Sequence, residues 1–133
     1  MPESLMKVYV ASHLGFSEVT RSWYQSVFLP ALAGTGVDPW DDAWRRDQDP
    51  GARNPAKPES VSAWKELNHR IGARNTQLIH QAHGVVAVLD GADLDSGTAA
   101  EIGYATALGR WVLGYRSDPR PSGDNPGCLV NVQ

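Results

Sequence analysis

The chain has 133 residues, of which 41% are hydrophobic and 20% charged. This length gives one domain, residues 1–133, able to bury a core without disulfides or metal, and the composition excludes a disordered chain. Twelve Lys and Arg against 15 Asp and Glu leave a net charge of −3, and the three lysines, Lys7, Lys57 and Lys65, are scattered. That excludes the clustered cations on which non-specific nucleic-acid binding depends. The single Cys128 excludes an internal disulfide framework and a cysteine-rich metal site. Met1–Met6 is no cationic apolar leader, and no apolar run approaches the ~18 residues of a membrane span. The expectation is a cytoplasmic domain.

The first apolar run, Met6-Lys7-Val8-Tyr9-Val10-Ala11, is short and β-branched, and Ser12-His13-Leu14-Gly15 punctuates it. It reads as a buried strand and a turn. Ser17 then fits an N-cap with Glu18 in the first turn. Val19, Trp23, Val27 and the Leu29–Leu32 region recur at helical spacing, Gly34 and Gly36 mark the end, and Pro30 predicts a kink or an early stop near Leu29. Val37-Asp38-Pro39-Trp40 reads as a short second strand. Asp41 to Pro58 is a polar excursion of Asp, Arg, Asn, Gly and Pro residues, with one helical turn expected around Ala43–Arg46; a loop of this length is commonly a lid or binding loop.

From Glu59 to His83 the pattern is helical, with Val61, Trp64, Leu67, Ile71, Leu78 and Ile79 as the apolar set and Gly72 as a potential break. Gly84-Val85-Val86-Ala87-Val88-Leu89 is nearly continuous apolar sequence, as a central parallel strand covered on both faces requires. A helix follows over about Gly97–Leu108, closed by Gly109. Trp111-Val112-Leu113-Gly114-Tyr115 is a further buried strand, and the tail from Arg116 to Asn125 is polar. Alternating strands and helices describe an α/β domain with a parallel sheet. Ligands bind such sheets beyond the carboxyl ends of the strands. Those ends are Ala11–Phe16, Asp38–Asp42, Asp90–Thr98 and Tyr115–Asp118.

Asp90 to Glu101 holds four carboxylates in twelve residues and joins the best strand to the best helix. Glu101 is expected in the first helical turn, where the helix-end potential favours an ionised carboxylate. Such a carboxylate is what attack on a sugar carbon requires. Thr98-Ala99-Ala100-Glu101 also fits a capping box in which Glu101 only satisfies the helix end, and Asp95 or Ser96 could be the N-cap instead. His13, His69, His80 and His83 form no metal spacing, and no cofactor is expected.

Asp90-Gly91 followed by Asp95-Ser96-Gly97-Thr98-Ala99-Ala100-Glu101-Ile102-Gly103-Tyr104-Ala105 resembles the signature of the nucleoside 2-deoxyribosyltransferase family. The similarity extends to Gly114-Tyr115-Arg116-Ser117-Asp118, to Val8-Tyr9-Val10-Ala11 with Phe16, and to Asn75. The resemblance implies a flavodoxin-like (Rossmann-like) three-layer domain that transfers 2-deoxyribose between nucleobases. It assigns Glu101 as the nucleophile that forms a covalent deoxyribosyl-enzyme. It places Asp95 near the base as the proton donor and Tyr9 as the residue whose hydroxyl holds Glu101. Asn75 falls at a base-contacting position; an amide orients a base but donates no catalytic proton. Phe16 and Trp40 are candidates for an aromatic wall against the base, although as isolated residues both read as core. Asp41 is a candidate base or sugar contact.

Family members continue past the position of Asn131, and there the chain reaches a neighbouring subunit. The resemblance therefore implies a homo-oligomer in which Asn131 touches the nucleophile or the sugar 5′-hydroxyl of the adjacent protomer. The partners implied are a 2′-deoxynucleoside and a free nucleobase. A nucleoside or nucleoside 5′-monophosphate N-glycosidase with the same Glu is the alternative. Asp95 disfavours the phosphorylated substrate, since a carboxylate beside a phosphate is repulsive. A non-catalytic nucleotide-binding module would keep the fold without needing an ionised Glu101.

Overall fold

The computed structural model describes residues 5–40 and 59–131. The excursion over 41–58, with Asp41 and the turn expected at Ala43–Arg46, lies outside the described residues. The elements are β1 (Met6–Ala11), α1 (Glu18–Trp23), α2 (Leu29–Gly34), β2 (Val37–Trp40), α3 (Val61–Gln81), β3 (Gly84–Val88), α4 (Ser96–Ala107) and β4 (Trp111–Tyr115). A π-helical turn, Tyr24–Phe28, joins α1 to α2. The four strands among the described residues are all parallel in the order β2-β1-β3-β4. This is the flavodoxin-like α/β arrangement, with β1 and β3 central at the point where strand order reverses.

Val8–Ala11 of β1 and all of β3 are buried, and both stretches are continuous apolar sequence. Their side chains alternate between two clusters. Tyr9, Ala11, Val85 and Ala87 pack with Leu78, Ile79, Ile102 and Ala105 of α3 and α4. Val10 and Val88 pack on the other face with Leu14, Tyr24 and Leu29. Gly84 is required by contact: a Cβ there would land in the Trp111 indole that lies across it.

Several local expectations change. Ser17 does cap α1, its hydroxyl accepting from the Val19 N–H. Pro30 does not stop the helix, which runs on to Gly34. It cannot donate a main-chain N–H, and the turn before it widens into π geometry, with the Leu29 N–H reaching back to the Tyr24 carbonyl. The Val19–Trp23–Val27 spacing is helical but is not the buried face: Val19 is 89% exposed and Trp23 and Val27 are half-exposed, while Tyr24 and Leu29 are buried. The strand predicted as buried at 111–115 is an edge with Leu113 60% exposed. Together with Trp23, Val27, Phe28 and Tyr115 it borders an apolar groove of about 420 Å³ with no charged lining residue. Gly72 does not break α3, which is one helix of 21 residues. Only its last turns are buried, through Leu78 and Ile79, while Val61, Trp64 and Ile71 are exposed.

The carboxyl ends of β3 and β4 are tied together by side chains. Asp90 Oδ1 accepts the Ser117 and Asp118 N–H groups at 2.6 and 2.8 Å, and Oδ2 accepts the Ser117 hydroxyl at 2.7 Å. The Arg116 guanidinium answers from the other side, donating to the carbonyls of Leu89, Gly91 and Arg120. Gly91 has φ +119°, a conformation that glycine adopts without a Cβ penalty. Burial pushes the Asp90 pKa up, but the Ser117 and Asp118 hydrogen bonds and the Arg116 charge outweigh it and hold the carboxyl below its ordinary value. Asp118 is held well below the ordinary carboxylate range, chiefly by the hydrogen bond from the Arg120 side chain.

Two predictions follow from the packing and the tie. Leu29→Ala removes a fully buried side chain and should destabilise by about 2–5 kcal/mol in urea unfolding, whereas Val19→Ala should shift stability by less than about 0.5 kcal/mol. Equal losses would show that Val19 is buried in solution. Asp90 and Asp118 have lowered folded pKa values, so their stabilisation is complete above the unfolded value near ~4 and is lost as pH falls below it. The melting temperature should drop on acidification below about pH 4, and the drop should be shallower in Asp90→Asn.

Candidate active site

Three elements converge on one carboxylate. Tyr9 lies on β1, where the register sets it beside Val85 of β3 and Trp40 of β2. It faces α3 and α4, and its hydroxyl donates to Glu101 Oε1 at 2.8 Å. Asn75 of α3 donates from Nδ2 to the same oxygen at 3.3 Å. Two donors aimed at one oxygen suit the carboxylate form, which is acceptor-only. Glu101 is half-buried, so it is shielded yet reachable.

The helix that carries Glu101 begins one residue earlier than expected. Asp95 is its N-cap, with Oδ2 accepting the Thr98 N–H at 2.9 Å and the Thr98 hydroxyl at 3.1 Å. Thr98 is itself buried. Glu101 is therefore the sixth residue of α4 and lies in the second turn, not the first. This removes both the Thr98–Glu101 capping box and the helix-end potential as the chief support of its charge, because that potential fades within the first turn. Tyr9 and Asn75 supply the support instead.

Beside Glu101 a cleft of about 370 Å³ opens between α3 and α4. It is bordered by Gly72, Asn75 and Thr76 on one side and Gly97, Ala100 and Tyr104 on the other. This volume lies within the ~300–1,000 Å³ of small-molecule sites. Gly72, which the sequence offered only as a helix break, and Gly97 leave the walls without side chains there. Thr76 and Tyr104 were missed because each falls at an ordinary helical position. Thr76 had only its place next to Asn75 as a signal, whereas Tyr104 stands in the Asp95–Ala105 motif, three residues beyond Glu101.

The remaining candidates are placed as follows. Trp40 is buried next to Tyr9, with Nε1 donating to Asp38 Oδ2 at 2.8 Å and the Lys7 ammonium 4.5 Å from the ring centroid. Phe16 is 86% exposed in the loop after β1, against its core reading. Asn131 is exposed and paired with Asp124, accepting the Asp124 N–H and donating to its carboxylate. The described hydrogen bonds bring neither Phe16 nor Asn131 to Glu101. Among the described residues no group of three or more His, Cys, Asp or Glu is placed to hold a metal ion. His83 Nδ1 accepts the Lys7 N–H, and the His80 carbonyl accepts from Arg110. Among the described residues no helix is long and apolar enough to cross a membrane.

Comparison with known proteins fits this geometry. A solved structure of a conserved protein from Enterococcus faecalis V583 superposes with a TM-score of 0.65 at 25% identity, over 93% of this chain and 71% of that one. A 2-deoxyribosyltransferase from the psychrotolerant bacterium Bacillus psychrosaccharolyticus superposes with a TM-score of 0.62 at 23% identity, over 86% of this chain and 74% of that one, and supports the fold. No curated protein gives a significant match. The family model for nucleoside 2-deoxyribosyltransferases matches residues 8–133. A match running from the first strand past the last makes this chain a member of the nucleoside 2-deoxyribosyltransferase family, and an enzyme of that kind.

Proposed function

We propose that the enzyme transfers 2-deoxyribose from one nucleobase to another by double displacement at Glu101. The observation that carries this reading is the carboxylate held from two sides, by Tyr9 and Asn75, at the edge of a cleft large enough for a nucleoside. Tyr9 and Asn75 both donate to Oε1 and hold the carboxylate in place, and a Glu101 carboxylate oxygen is assigned the attack. That oxygen forms a bond to C1′ while the C1′–N bond breaks and its electron pair stays on the leaving base. The base takes a proton from Asp95, whose Oδ2 is engaged at the helix N-terminus while Oδ1 is assigned to the base. An incoming base then attacks C1′, the C1′–O bond breaks, Glu101 leaves as carboxylate, and the acceptor's proton returns to Asp95. Two inversions give net retention.

Phe16, Trp40, Asn75 and Asp41 are assigned to the nucleoside. Trp40 is next to Tyr9 on the neighbouring strand, which supports a place in the wall of the site. The exposed ring of Phe16 is available to cover a base. The enzyme is proposed to work in nucleotide salvage in the cytoplasm, where a chain with the single Cys128 forms no internal disulfide. It is further proposed to be a homo-oligomer in which Asn131 reaches the neighbouring active site. The groove around Leu113 supports association, because an uncharged apolar face can oppose a second copy of itself without setting like charges together.

With 2′-deoxyinosine and adenine, the protein should produce 2′-deoxyadenosine and hypoxanthine on chromatography, and Glu101→Ala should abolish both. Hypoxanthine without new nucleoside would transfer the assignment to an N-glycosidase. Tyr9→Phe removes a hydroxyl donor from the nucleophile and should lower kcat about 10–100-fold, the worth of one hydrogen bond to a charged group. An unchanged kcat would remove Tyr9 from the mechanism. Re-equilibrated mixtures of Glu101→Ala and Asn131→Ala should regain part of the activity both parents lack; a mixture no better than its parents would refute the shared site.

A further inference from the structure

The tie between the β3 and β4 loops lies beyond the residues placed at the reacting centre, yet it leads directly into them. Four residues separate Asp90 from Asp95. The segment is anchored downstream by Leu94, packed against the core on the α3–α4 face, and by the Asp95 cap on Thr98. It is anchored upstream where the Leu89 N–H donates to the Tyr115 carbonyl at 2.7 Å, where Asp90 meets Ser117 and Asp118, and where Arg116 holds the Leu89 and Gly91 carbonyls. Ala92 and Asp93, between the anchors, are exposed. Gly91 adds freedom at the start of the segment, and past Leu89 the hold on it comes from the side chains of Asp90 and Arg116.

We propose that Asp90 is a positioning residue: its grip on Ser117 and Asp118 fixes the loop that delivers Asp95 to the N-terminus of α4, and so sets where the proton donor stands relative to Glu101. The inference rests on the transferase reading for its effect on rate, but not for the grip itself. The bonding pattern makes a sharp distinction. Oδ1 accepts two main-chain N–H groups and Oδ2 accepts one hydroxyl. An amide reproduces all three, since its oxygen accepts both N–H groups and its NH2 donates to a turned Ser117 hydroxyl. Position is thus kept by Asn and lost by Ala, whereas a charge requirement would be lost by both.

The experiment compares Asp90→Asn and Asp90→Ala for base exchange and for amide hydrogen exchange of the whole protein. Asp90→Ala should lower kcat about 10–100-fold with little change in KM, as a displacement on the order of 1 Å does, and Asp90→Asn should stay within about 3-fold of the parent. Amides of residues 91–98 should lose protection in Asp90→Ala while β3 keeps its own. On an Asp95→Asn background, Asp90→Ala should add no further loss, because there is no proton donor left to misplace. Equal losses in Asn and Ala, a lowered melting temperature with kcat unchanged, or unaltered exchange over 91–98 would each overturn the proposal. Full activity in Glu101→Ala would overturn the transferase mechanism instead, and the hydrogen exchange would still decide whether Asp90 holds the loop.

Discussion

The meeting of the Tyr9 hydroxyl, the Asn75 amide and the Glu101 carboxylate is the contact on which the rest of the molecule depends. Its members come from a strand and two helices that are distant in sequence. It exists only if β1 is central in the sheet, if α3 and α4 pack on the same face, and if the pleat turns Tyr9 toward them. A one-residue slip of β1 would send Tyr9 to the opposite face. The buried residues enforce that register: Val8, Ala11, Val85 and Val88 are fully buried, and burying each large apolar side chain stabilises by about 1.5–3 kcal/mol.

The two faces of the sheet are finished differently. On the α3–α4 face, polar groups are concentrated at the carboxyl ends of β1 and β3 and around the start of α4, where this fold binds ligands. On the other face, α1 and α2 cover the centre of the sheet but leave Leu113 and the flank of Trp111 open. The polar cluster around Glu101 and the uncharged apolar groove therefore lie on separate faces of the sheet.

The loop from Asp90 to Asp95 shows how positioning is built from ordinary hydrogen bonds. Asp95 satisfies the helix end through Thr98, so the capping and functional readings of that residue do not compete. The first fixes one oxygen of the carboxylate, and a carboxylate has another. Asp90 and Arg116 do the same one layer further out, joining the ends of two parallel strands that make no tight turn with one another.

Much was legible in the sequence because it is local. Strand runs, the Ser17 cap, the order of elements and the motif from Asp95 to Tyr104 depend on neighbours a few residues apart. The α/β class follows from them, and the family resemblance singles out Glu101 as the candidate nucleophile. What failed was whatever depends on which side of a helix finds a partner. The apolar spacing of Val19, Trp23, Val27 and Leu29–Leu32 defines a helix, but Val19 stays exposed and burial goes to Leu29 of that set and to Tyr24, because those face Val10 and Val88. The same holds for Val61 and Trp64 in α3, and for the exposed Phe16.

Glu101 shows the division most clearly. The sequence by itself determined that a glutamate follows a strand, a loop and a helix start, with Asp95 six residues before it. Only the tertiary structure decided that it lies in the second turn, where the helix end no longer supports its charge, and that Tyr9 and Asn75 support it instead. Caps and periodicity are set by short-range backbone geometry, which a sequence pattern carries. A hydrogen bond between residues 92 apart is set by strand order and register, and those emerge only when the whole core packs.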